Sequence, residues 1–140
     1  MEEEYHNFPV FLQEANNDCG ASCLYIISLH YKLKMQYSEI KREFNFTKAG
    51  ATLQDLIVVA EKIGFTTLPI NINLVLLKQV PLPAIIHWNN NHFVVLYKIS
   101  DNKYYISNPI YGHVSFSEDK FLLSWYNQNK EGTVLLFAIK

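Results

Sequence analysis

Charge of one sign and cysteine are both scarce in this chain, and each shortage excludes something. Charged residues make up 18% of the 140 residues, 12 basic against 13 acidic, for a net charge of -1. So even a balance carries no electrostatic footprint for a phosphate backbone, and no nucleic-acid partner is expected. The two cysteines, Cys19 and Cys23, stand four apart inside one helical pattern. A disulfide between them would staple nothing distant, so they read as reduced thiols in a cytosolic setting. Their spacing is not Cys-x-x-Cys and no further ligands cluster nearby, which argues against zinc and thioredoxin chemistry; no metal and no cofactor are expected. No apolar run approaches the ~20 residues of a membrane span. The acidic start Met1-Glu-Glu-Glu-Tyr5 is unlike a signal peptide. Gly/Ser linkers, repeats and low-complexity tracts are missing too, so one domain over 1–140 is expected, soluble and cytoplasmic.

What is present is apolar: 49% of the residues, enough for one real core, since a domain this long buries roughly two-thirds of the surface its unfolded chain exposes. Tyr5 to Phe11 reads as an extended arm. From Cys19 to about Tyr31, apolar residues recur at helical spacing and predict the central helix. Asp18 stands at its N-cap, where its carboxylate should accept a first-turn N–H. A second short helix is expected after Ser38, and a third after Thr52 with Gly64 as its stop.

Beyond Gly64 the period becomes that of strands. They are expected over Phe65 to Ile70, Pro83 to Trp88, His92 to Ser100, Lys103 to Ser107, His113 to Phe116 and Thr133 to Ile139, with a helical turn at Asn73 to Lys78 and a helix after Ser117. Asn89-Asn-Asn91 makes a hairpin of the second and third strands. Helices first and strands after argue an α+β domain with an antiparallel sheet rather than βαβ units.

Cys19, at a helix start, feels the positive end of the helix dipole, worth ~0.3–1 kcal/mol to a thiolate, while Asp18 beside it opposes a second negative charge. A nucleophile there needs a base, and the base needs an orienting group. His6 lies in the arm, and His30 is three helical turns away, about 16 Å by helix rise. His87 and His92 flank the hairpin turn, and His92 could face the helix start from the sheet's end; His113 reads as a surface residue. Counting back across the Asp101-Asn102 turn brings Asn108 near His92, where its amide oxygen could accept the ring N–H. Gln13 could direct its NH₂ at an oxyanion beside the Cys19 N–H. Cys19, His92 and Asn108 also have a structural reading: a buried thiol, a hydrogen-bonded strand histidine and ordinary Asn-Pro turn chemistry. Cys23 belongs to the core.

The segment Gln13-Glu-Ala-Asn-Asn-Asp-Cys-Gly-Ala-Ser-Cys-Leu24 resembles the C39 family of cysteine peptidases, the domain usually found at the N-terminus of ABC exporters that process bacteriocins. Gly50-Ala-Thr-Leu53, Ala60-Glu-Lys-Ile-Gly-Phe65, Leu82-Pro-Ala-Ile-Ile-His-Trp88, Asn91-His-Phe-Val-Val-Leu96 and Asn108-Pro-x-x-Gly112 follow in family order, over roughly residues 8 to 139. The resemblance implies a papain-like fold and removal of leader peptides after a double glycine. It implies Cys19 as nucleophile, His92 as general base, Gln13 with the Cys19 N–H as oxyanion hole, and Asn108 as the orienting group where the family usually has Asp. Partners implied are a leader peptide and the membrane and nucleotide-binding domains of an ABC exporter, which places the domain at the inner face of the membrane. A family variant that binds export substrates without cutting them is the competing reading.

Overall fold

The computed structural model describes residues 7–44 and 50–140. His6 therefore lies outside the described residues. Three helices come first: α1 (Cys19–His30), α2 (Tyr37–Arg42) and α3 (Leu53–Ile63). Then follow β1 (Phe65–Ile72), the single turn α4 (Leu74–Leu77), β2 (Ala84–Trp88), β3 (His92–Ser100), β4 (Lys103–Asn108), β5 (Gly112–Ser117), α5 (Glu118–Trp125) and β6 (Gly132–Ile139). The strands form one antiparallel sheet in the order β1-β6-β2-β3-β4-β5. The last strand enters between β1 and β2, so the C-terminal residues join two parts of the sheet.

Side chains alternate across the sheet, and the alternation divides the interior in two. Ile85, Val95 and Leu135 face α1, α2 and α3, together with Leu24, Ile40 and Leu56. Their sequence neighbours Ile86, Val94 and Val134 face α5, together with Trp88, Phe121 and Trp125. Helix α1 is buried along most of its length, from Cys19 to Leu24 and again from Ile26 to Ser28, which makes it the central helix of the first layer.

Local chemistry sets most boundaries. Thr52 and Asp55 close a capping box at the start of α3. Gly64 ends that helix at φ 120°, a conformation that favours glycine. Helix α2 starts two residues earlier than the sequence suggested, because Gln36 and Glu39 form the capping box there instead of Ser38. The β2–β3 and β3–β4 turns each place consecutive residues in the left-handed region, Asn89 and Asn90 in one, Asp101 and Asn102 in the other. Asn and Asp tolerate that region better than other side chains.

Candidate active site

Asp18 is the N-cap residue of α1, but its carboxylate does not cap the helix. It turns backward instead. Its Oδ1 and Oδ2 accept the backbone N–H groups of Ala15 and Glu14 at 3.1 and 3.2 Å. Tyr37 of α2 donates its hydroxyl to Oδ2 at 2.6 Å, and Lys41 Nζ lies 3.5 Å away. The expected cap bond is corrected by this arrangement: a fully buried carboxylate with a loop, a phenol and an ammonium around it gains more partners than the helix end alone offers.

Cys19 begins α1 and is 9% exposed. The backbone of Phe93 ties it to the sheet, since Phe93 makes a backbone hydrogen bond to the Cys19 sulfur while its carbonyl accepts from Cys23 Sγ at 3.2 Å. Both cysteines thus lie against the first residues of β3, and His92 is the residue next to Phe93. Cys23 is fully buried, as its core assignment required.

His92 Nε2 lies 3.3 Å from Asn108 Oδ1. The same oxygen accepts the Ile110 N–H at 2.9 Å, which fixes the amide with its oxygen toward the ring. Against an acceptor, Nε2 must carry the ring proton, and the lone pair is left on Nδ1. A β-bulge makes this pairing possible. Between Ser100 and Lys98 the strands pair in one register, and between Leu96 and Val95 in another, shifted by one residue at Tyr97. Without that extra residue Asn108 would stand opposite Val95, on the other face from His92; with it, the register carries Asn108 opposite Val94, on the face His92 shares. Tyr97 stacks on Phe8 at 4.3 Å, and Ser107 Oγ donates to the Pro9 carbonyl, so the N-terminal arm lies over the bulge.

Gln13 joins this corner through its backbone, donating its N–H to the Pro109 carbonyl at 2.7 Å. Its side-chain Nε2 donates to Ala15 O at 2.7 Å, which leaves one of its two N–H groups for another acceptor. Its Oε1 is buried with no hydrogen-bond partner among the described residues. Of the other described histidines, His87 lies within electrostatic reach of His92, while His30 and His113 make their contacts elsewhere. His30 packs against Phe8 and Tyr31. His113, expected at the surface, is partly buried, with Nε2 2.8 Å from the Phe8 carbonyl.

Burial moves the proton affinities of Cys19 and His92 in opposite directions. It pushes the Cys19 thiol above its ordinary value, against the Phe93 and Gly20 backbone hydrogen bonds that lower it, and Asp18 adds to the rise. It also pulls the His92 imidazole below its ordinary value, against the Asn108 bond that raises it. Both shifts favour a resting pair of neutral thiol and neutral imidazole.

Two depressions flank the corner. One, of about 500 Å³, runs from Ala51–Leu53 to His87, Phe93 and Thr133. The other, of about 330 Å³, lies between residues 12–16 and Pro109–Ile110. Small residues let the wall of the first pack closely on the start of α1. A Cβ on Gly20 would meet Ala51 Cβ at 3.2 Å and Leu56 Cδ2 at 3.3 Å, and Gly50, at φ +84°, sits over the Asn17 carbonyl. The sequence shows Asp18 and Phe93 as neighbours of the site, but Tyr37 and Lys41 carry no local signal of belonging to it.

The model of the Peptidase C39 family matches residues 7–137. The colicin V secretion/processing ATP-binding protein of Escherichia coli is 34% identical over 104 residues, which are 74% of this chain and 15% of that protein. The sublancin-168-processing and transport ATP-binding protein of Bacillus subtilis is 30% identical over 101 residues, 67% of this chain and 14% of that one. Among solved structures, a double glycine motif protease from an AMS/PCAT transporter, in complex with the leader peptide, superposes with a TM-score of 0.87 at 27% identity, covering 94% of this chain and 91% of that one. This chain spans about one-seventh of the length of the curated relatives it matches. With the α+β fold and a cysteine at the start of the central helix, these matches establish that the chain belongs to the peptidase C39 family of cysteine peptidases.

Proposed function

We propose that the chain is a cysteine endopeptidase that removes double-glycine leader peptides from secreted peptide precursors, with Cys19 as nucleophile, His92 as base and acid, Asn108 as the orienting group, and Gln13 with the Cys19 N–H as oxyanion hole. One observation carries the reading: the amide oxygen of Asn108 accepts a hydrogen bond from Nε2–H of His92, so the ring keeps a basic Nδ1 at the strand end that holds Cys19. Cys19 Sγ attacks the carbonyl carbon of the second glycine and gives its proton to Nδ1. The oxyanion accepts from the Cys19 N–H and the free Gln13 N–H. Collapse breaks the C–N bond as the imidazolium protonates the leaving amine, and a thioester remains. Water, deprotonated by His92, then attacks it; the leader leaves as a carboxylic acid and the thiol regains its proton.

The leader is assigned to the 500 Å³ depression, whose wall residue Ala51 packs against Gly20 and whose wall residue Phe93 holds Cys19. The relatives named above are processing and transport ATP-binding proteins, which supports an ABC exporter's membrane and nucleotide-binding domains as partners and the cytoplasmic membrane face as location. No helix among the described residues is long and apolar enough to cross a membrane.

Mass spectrometry of a synthetic leader ending in Gly-Gly followed by a few cargo residues, incubated under reducing conditions, tests this. Cleavage after the second glycine by the wild type and none by Cys19→Ala is the expected result. Binding without cleavage would overturn it in favour of a substrate-holding domain.

A further inference from the structure

A carboxylate that is fully buried beside the proposed nucleophile calls for a physical reason, because a charge taken out of water needs partners. Its partners supply one. Asp18 accepts two consecutive loop amides, Glu14 and Ala15, and receives the Tyr37 hydroxyl and the Lys41 ammonium from α2. Glu14 and Lys41 also approach each other, at 3.7 Å. Ser22, one turn into α1, shares the Tyr37 hydroxyl at 3.5 Å. All of these groups meet behind the short loop from Gln13 to Asp18. That loop carries the Gln13 side chain at one end and Cys19 just past the other, the two ends of the proposed oxyanion hole.

We propose that Asp18, backed by Tyr37, is a positioning residue that fixes the loop 13–18 so that the Gln13 amide and the Cys19 N–H converge on one point. The inference rests on Cys19 acting as nucleophile, as proposed above. It goes beyond that reading in assigning a role to α2, which contributes no group to the chemistry. The carboxylate presents a separate oxygen to each of the two loop N–H groups, whereas an amide in its place would set its own NH₂ donor against one of them. The arrangement has a cost in nucleophile acidity, since the Asp18 charge raises the Cys19 thiol's affinity for its proton. Loop geometry and thiol acidity therefore respond to Asp18 in opposite directions, and this separates a positioning role from a merely structural one.

The test compares two reactions of Cys19 in the 140-residue protein. Alkylation by iodoacetamide is a direct displacement that forms no oxyanion; acylation by p-nitrophenyl acetate passes through one. For Asp18→Asn we expect alkylation at neutral pH to be as fast as in the wild type or faster, while acylation slows about 10- to 100-fold. Tyr37→Phe keeps the ring in its aromatic cluster with Phe11 and Tyr25 and removes one bond to the carboxylate, so a smaller loss in the same ratio is expected. This second variant decides the matter if Asp18→Asn does not fold. A ratio of acylation to alkylation that stays within about twofold of wild type in the folded variants would overturn the inference. Wild-type acylation at Cys19 without cleavage of a Gly-Gly peptide would overturn the substrate assignment alone. Absence of acylation at Cys19 in the wild type would overturn the nucleophile assignment, and this inference with it.

Discussion

At the scale of single residues, the roles proposed for His92 and Cys19 predict a pH dependence. The active pair holds one proton between them, so activity rises as the doubly protonated form loses its first proton and falls as the last one leaves. Burial draws the first loss, from His92, below its ordinary 6.5, and pushes the second, from Cys19, above its ordinary 9.0. A kcat/KM profile should therefore show a plateau from below pH 6.5 to above pH 9.0. A falling limb near neutrality would indicate a thiolate–imidazolium ground state instead. Asn108→Asp adds a negative charge 3.3 Å from the ring, which favours imidazolium. We expect this variant to keep its activity with the rising limb moved up by about one pH unit or more, read from the same profile. A large fall in the plateau would show that the neutral amide is itself required.

At the scale of elements, positions are set by contacts that no segment makes alone. Strand β6 opens with Gly132, and a Cβ there would fall 2.0 Å from Trp125 Cε2 of α5. The indole packs against that backbone, with its Nε1 donating to the Thr133 carbonyl. Gly132→Ala must push the ring aside, at a cost of about 1–3 kcal/mol, to be measured as a lower denaturant midpoint with unchanged slope. The bulge at Tyr97 is of the same kind. Turn chemistry at Asp101 and Asn102 starts the β3–β4 ladder in one register, and the packing of Phe8 on Tyr97 accompanies its shift to the next.

At the scale of the whole molecule, one sheet separates two cores, and its central strands contribute to both. Leu24 of α1 is fully buried in the first, whereas both tryptophans, Trp88 and Trp125, lie in the second. Leu24→Ala should cost about 2–5 kcal/mol. It should lower the tryptophan fluorescence midpoint and the far-UV circular dichroism midpoint together, because strands shared by both faces couple them. Separate midpoints would mean that the two layers unfold independently.

Much of this was legible in the sequence. The period change at Gly64, the capping residues Thr52 and Asn73, and the Asn and Asp turns are local signals, and the elements they bound are found within a residue or two of the expected places. Cys19, His92, Asn108 and Gln13 were legible as residue types in an order, and the structure gathers the backbone or side chain of each at one corner. Three features were decided by tertiary structure alone. The one-residue bulge at Tyr97 chooses the face on which Asn108 stands, and a count along the hairpin cannot contain it. The Asp18 carboxylate turns away from its own helix because Tyr37 and Lys41 arrive from α2. The charge state of Cys19 and His92 follows from how deeply they are buried. Sequence fixes propensities and periods along the chain, but register, a buried charge's partners and desolvation depend on which distant segments meet, and those are set only when the sheet and helices pack.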